Sequence, residues 1–271
     1  MCGAYISRVV FISEQKDIGN GVLLRLRDHI EPQLTDSPDI TGPYFLPANC
    51  AEEFQAVMRI LESEVENVGV PLINLYYHGN PEQGIRFSNG KYISWSEVND
   101  MLRNINTLAQ NTMCVVSACC YSLHSILPPD VTKASPYSFL LAPSTEITEG
   151  EIESQLYQFY TLLLKHKDIS PAVKELSSFR KFLPELYIRK AFVKALTSYH
   201  GRSGSKEREE AMTRAKAIFP GLDKSKYRKI MKNYGKENRD QIVSMVTDTF
   251  MCGRPFCPAV QALTDEQLEN V

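Results

Sequence analysis

The chain has 271 residues, enough for one large domain or two small ones whose core needs no disulfide or metal staples. Hydrophobic residues at 43% and charged residues at 23% exclude a disordered or fibrous class. The formal charge of −2 singles out no partner, but it is unevenly spread: 18 basic and 8 acidic residues between Lys174 and Asp240 give a net of +10, leaving −12 for the remainder.

No stretch approaches the roughly 18–20 apolar residues that span a bilayer. The start, MCGAYISRVVFISEQ, has no basic region followed by an apolar run and a small-residue cleavage site. Seven cysteines (Cys2, Cys50, Cys114, Cys119, Cys120, Cys252 and Cys257) are an odd number at irregular spacing, which fits a reducing compartment better than a disulfide framework. A cytoplasmic location without membrane contact is expected.

Short β-branched runs alternate with helical periods over the first 165 residues. Ala4–Ile12 reads as a buried strand, and Gly21–Leu34 has Leu23, Leu24, Leu26 and Ile30 at near-helical spacing. Ile40–Leu46 is a second strand interrupted by Gly42 and Pro43. In Ala51–Asn67 the residues Phe54, Val57, Met58, Leu61 and Val65 stack on one helix face. Val70–Tyr77 is a strong apolar strand. Ser94 with Glu97 forms a capping-box pattern that opens the next helix, with Val98, Met101, Leu102 and Ile105 inward. Thr112–Ala118 and Ser138–Ala142 are two further strands. Thr148 with Glu151 repeats the capping box before Ile152, Leu156, Phe159, Tyr160 and Leu163. Such alternation implies an α/β fold, a mostly parallel sheet flanked by helices, with functional groups gathered at the carboxyl ends of the strands.

After Ile169-Ser170-Pro171 the strand signal disappears. Residues 1–170 are therefore expected to form the α/β domain, and 171–271 a helical, basic C-terminal region that includes Lys224, Lys226, Arg228, Lys229 and Lys232. That charge stripe suits a solvated face, a nucleic acid, an acidic partner or the acidic part of the same chain.

Two segments sit where such a sheet collects its chemistry. VPLINLYY runs into His78-Gly79-Asn80, and TMCVVSA runs into Cys119-Cys120-Tyr121-Ser122. An imidazole and a thiol at neighbouring strand ends are the parts needed for cysteine nucleophilic catalysis. Gly79 leaves its N–H unobstructed, and with the N–H of Cys119 it can form an oxyanion hole. Cys114, Cys119, Cys120 and His124 cluster in sequence without the ligand spacing of a zinc site, so no metal is expected. No phosphate-cradling glycine motif occurs, and no cofactor is expected.

Strand, His-Gly, helix, strand and Ser-Ala-Cys, written here as YYHGN and VVSACCYS, resemble the caspase-like cysteine peptidases, in a flavour similar to the bacterial CHAT-type branch. The caspase signature Q-A-C-[RQG]-G has its His about 50 residues upstream; here His78 lies 41 positions before Cys119. The resemblance spans roughly residues 1–170, and SFLLAPSTEITEGEIESQLYQFYTLLL looks like the family's next strand, substrate-lining turn and helix. It implies His78 as general base and acid, Cys119 as nucleophile, and Gly79 and Cys119 as oxyanion-hole donors. Ser117, Ser144, Thr145 and Glu146 would contact substrate. Cys120 falls beside the nucleophile. Ser117 stands where caspases carry Gln and metacaspases Asp, so the family's known P1 preferences do not transfer. Glu146 and Glu149 face either a basic P1 side chain or the amino end of the following helix.

Only 18 residues separate Cys119 from Ser138, too few for a cleavable intersubunit linker, so a single-chain enzyme controlled by a partner protein or effector is expected. The resemblance implies a protein substrate and a role in bacterial defence or regulated cell death. The competing expectation is a non-catalytic α/β interaction module whose basic tail binds nucleic acid or an acidic partner.

Overall fold

The computed structural model describes residues 6–18, 21–35, 39–126, 133–174, 176–188 and 248–254, with the single positions Thr213 and Ser225. Strand β1 (Arg8–Ser13) is buried at every position, as a strand covered on both faces must be. Then follow α1 (Gln15–Ile18), α2 (Gly21–Leu34), β2 (Thr41–Pro47), α3 (Ala51–Val68) and β3 (Pro71–Tyr76). Three short strands come next: β4 (His78–Asn80), β5 (Gly84–Arg86) and β6 (Tyr92–Ile93). The first part of the chain closes with α4 (Trp95–Leu108), β7 (Cys114–Ser117), β8 (Phe139–Ala142), α5 (Glu149–His166), α6 (Ile169–Lys174) and β9 (Arg180–Phe182).

The main sheet has the order β2-β1-β3-β7-β8-β9, and β9 alone is antiparallel to its neighbour. Helix α2 packs against α5 and α5 against α6, while α3 packs against α4, so helices flank a mostly parallel sheet. Both expected capping boxes form. Ser94 accepts from the Glu97 N–H and Thr148 from the Glu151 N–H, and each glutamate reaches back to the cap residue's own N–H.

The sheet's middle carries one buried polar residue with a full set of partners. Asn74 Nδ2 donates to Val10 O at 3.1 Å, and its Oδ1 accepts from the Tyr160 hydroxyl of α5. The rings of Phe11 and Phe159 pack against Tyr160, and all three are fully buried. A polar group taken out of water is tolerated when its bonds are remade inside, and these ones tie α5 to the sheet.

Strand β9 corrects the expectation that strands end near residue 170. Leu140 to Ala142 of β8 pair with Arg180 to Phe182, so the sheet gains an edge in a segment assigned to the helical region. Three residues, two of them charged, carry no alternation that a pattern could register. Contacts divide the chain into two compact units. The first holds the described residues through Ser125 together with Pro136–Phe182. The second holds the described residues of Ile126–Ser135 and those from Leu183 onward. Within the second, the Ser135 N–H donates to Phe250 O at 2.8 Å. The basic stretch Lys206–Tyr234 lies outside the described residues apart from Thr213 and Ser225, as does Cys257. Among the described residues, no helix is long and apolar enough to cross a membrane.

Candidate active site

The His-bearing segment is a strand, β4, and not the loop expected. Beyond β3, Tyr77 is anchored by its hydroxyl on Ala48 O at 3.0 Å and by edge contacts with Phe54 and Phe87. The chain then pairs antiparallel, His78 opposite Arg86 and Gly79 opposite Ile85. The turn that returns it is held by Asn80, whose Oδ1 accepts the N–H groups of Glu82 and Gln83 at 2.9 Å. Trp95 Nε1 donates to Asn80 O at 2.9 Å, fixing the small sheet to the start of α4. These contacts hold the backbone of His78, whose side chain is exposed.

The two candidate segments meet at Gly79. A Cβ on residue 79 would lie 1.9 Å from the Cys120 carbonyl oxygen and 3.2 Å from the Cys120 nitrogen, so the backbones touch and only glycine fits. The structure therefore brings the His78-Gly79 and Cys119-Cys120 segments together at the carboxyl ends of the adjacent parallel strands β3 and β7.

The thiols differ. Cys119 is fully buried, its Sγ donating to Leu75 O at 3.6 Å, a carbonyl that also accepts the Ala118 N–H at 2.8 Å. Burial pushes the Cys119 thiol up to about 12, with the Ser117 hydroxyl and the Tyr77 N–H pulling the other way. Cys120 is half-buried and its Sγ donates to Ile147 O at 3.7 Å. Ser117, expected against substrate, is buried at 2% exposure, and its hydroxyl has no hydrogen-bond partner.

The turn after β8 lies against the cysteine loop. The Tyr121 N–H donates to Thr145 O and the Leu123 N–H to Pro143 O, both at 3.1 Å, and the Tyr121 hydroxyl reaches Glu146 at 3.3 Å. Ser144 is half-buried, while Thr145 and Glu146 are exposed. Tyr121 itself adopts φ +59°, the left-handed region that a bulky residue rarely enters. Glu149 is the first residue of α5, behind the Thr148 cap, a position that suits an acidic side chain.

One neighbour of the site escaped the sequence reading. Asp17, on α1 directly after β1, has its carboxyl held above the ordinary range by burial, with Glu14 and Glu149 adding and with Lys16 and His78 opposing. A polar Glu-Gln-Lys-Asp run leaving the carboxyl end of a buried strand is the signal that was available for it. Tyr76, at the end of β3, is likewise pushed up by burial and by Glu149 and Asp17. The carboxyl end of β3 thus has carboxylates beside an imidazole and a phenol.

Among the described residues, no group of three or more His, Cys, Asp or Glu is placed to hold a metal. The arrangement instead offers a thiol, an imidazole and two touching backbone segments, a combination suited to acyl transfer. No family model and no curated protein matches the chain.

Proposed function

We propose that the chain is a caspase-like cysteine peptidase, similar to the CHAT-type branch, that cleaves a protein substrate with Cys119 as nucleophile and His78 as base. The observation that carries this reading is the close approach of Gly79 to the Cys120 carbonyl, which joins a His-Gly strand end to an Ala-Cys strand end. In the reaction His78 takes the Cys119 proton, the thiolate adds to the scissile carbonyl, and the N–H groups of Gly79 and Cys119 receive the oxyanion. His78 then protonates the leaving amine, and water hydrolyses the thioester. Ser144, Thr145 and Glu146, on the turn bonded to the cysteine loop, line the substrate path.

The full burial of the thiol, which pushes its pKa up, suits a resting state of this peptidase. Substrate or an effector has to open the Cys119 environment, which fits control by a partner better than control by chain cleavage. A role in bacterial defence or regulated cell death follows from the resemblance. The test is digestion of a peptide library by the purified chain. Cleavage is expected, and Cys119→Ala and His78→Ala are each expected to lower kcat/KM by roughly a thousandfold or more. Retention of full activity in both variants would overturn the assignment.

One observation favours a second reading. A thiol as deeply buried as that of Cys119 behaves as a small structural hydrophobe in most folds, which suits a non-catalytic α/β interaction module. The same digestion separates the two, because that module cleaves nothing.

A further inference from the structure

Strand β7 is apolar through Cys114, Val115 and Val116, then ends on a serine. At 2% exposure the Ser117 hydroxyl is out of water, and it has no hydrogen-bond partner. A buried donor without an acceptor is rare in folded proteins and calls for an explanation. Packing alone does not supply one, since alanine or valine would serve a buried strand end without stranding a hydroxyl. Nor does substrate contact, because the side chain is closed off from the surface.

The explanation lies two residues on. Ser117 ends β7 opposite Leu75 in register, and it is the Leu75 carbonyl that holds the Cys119 thiol. Cys119 is itself fully buried, and its Sγ is spent as a weak donor to Leu75 O at 3.6 Å. A neutral thiol is a poor acceptor, so the serine gains little from it in the resting state. A thiolate is a strong acceptor, and a hydroxyl or N–H bond to an ionised partner is about twice as strong as a neutral one. We propose that Ser117 is a positioning residue for the nucleophile, its hydroxyl held without a partner in the resting chain so that it can donate to the Cys119 sulfur once the proton has left. The Ser117 hydroxyl and the Tyr77 N–H both act to lower the thiol's pKa, a direction that agrees with this role. Cys120 and the Tyr77 phenol both oppose a negative charge on the sulfur, while exposed His78, on the strand end that meets the cysteine segment, is the proposed base. The hydroxyl therefore works against burial and against both neighbours.

The inference rests on the cysteine chemistry proposed above, and its test separates the two. The full chain is alkylated with iodoacetamide from pH 6 to 10, and modification of Cys119 is followed by peptide mass mapping, so that Cys120 is read separately. Loss of a donor to the thiolate raises the pH at which the thiolate forms. In Ser117→Ala the Cys119 alkylation profile is expected to move up by about one pH unit, a roughly tenfold slower reaction near neutrality. Ser117→Thr keeps a hydroxyl and is expected to follow the wild type. A merely structural serine would lower Tm when replaced, whereas removal of an unpartnered hydroxyl is expected to leave the Tm of Ser117→Ala unchanged or higher. Superimposed profiles for wild type and Ser117→Ala, with Cys119 labelled in both, would overturn the inference alone. Absence of Cys119 labelling in the folded wild-type chain would overturn it together with the proposed nucleophile.

Discussion

Two buried polar residues on adjacent strands behave in opposite ways. Asn74, in the middle of β3, donates to Val10 O and accepts from the Tyr160 hydroxyl, so its side chain costs the fold little. Ser117 lies on β7, next to Leu75 in register, and its hydroxyl has no partner. Near it are a fully buried thiol, a tyrosine at φ +59° and a glycine pressed against a carbonyl. The sheet's middle is built for stability, whereas the carboxyl ends of β3 and β7 hold strain and unmet bonds, as sites of chemistry commonly do.

Substitutions can break this contrast or sharpen it. The largest effect is expected for Gly79→Ala. Its Cβ would meet Cys120 O at 1.9 Å, and because that neighbour is backbone, the strand ends must separate. A loss of about 3 kcal/mol in urea denaturation is expected, with loss of peptide cleavage. Tyr160→Phe should cost about 2 kcal/mol in the same measurement, because the buried Asn74 Oδ1 loses its donor. Set beside an unchanged Ser117→Ala, that result would establish that one polar residue supports the fold and the other does not. Equal losses in both variants would erase the distinction.

The smallest effect is on pH dependence. The Cys119 thiol is pushed from 9.0 to about 12 in the folded chain, so between those values the unfolded state has lost a proton that the native state keeps. Stability therefore falls as pH rises through that window. Cys119→Ser removes this contribution, and its Tm is expected to decline less steeply above pH 9 than that of the wild type.

The strongly periodic parts of the fold were legible in the sequence. The runs around β1, β3, β7 and β8 are apolar and β-branched, and both capping boxes declare the helices they open. What escaped was short or polar. Strands β4, β5 and β6 have two or three residues each, with Pro81 and Gly90 between them and Gly84 opening β5, so pairing across the hairpins, and not local preference, makes them strands. Arg180-Lys181-Phe182 becomes β9 only because β8 offers it an edge.

The candidate site was readable as far as its two segments, since a His-Gly and a Cys-Cys each follow an apolar run. Which of two adjacent thiols turns inward depends on how β7 ends against β3, a tertiary matter. The same holds for the unpartnered hydroxyl of Ser117 and for Asp17, which the fold carries from α1 to the neighbourhood of His78.

The central claim is that Cys119 reacts and that His78 activates it. The most direct measurement is trapping with a peptidyl acyloxymethyl ketone, whose carbon forms a thioether with an attacking thiolate, followed by peptide mass mapping. The account predicts one adduct, on Cys119, that is lost or slowed at least a hundredfold in His78→Ala. An adduct on Cys120 alone, or Cys119 labelling that is indifferent to His78, would contradict it.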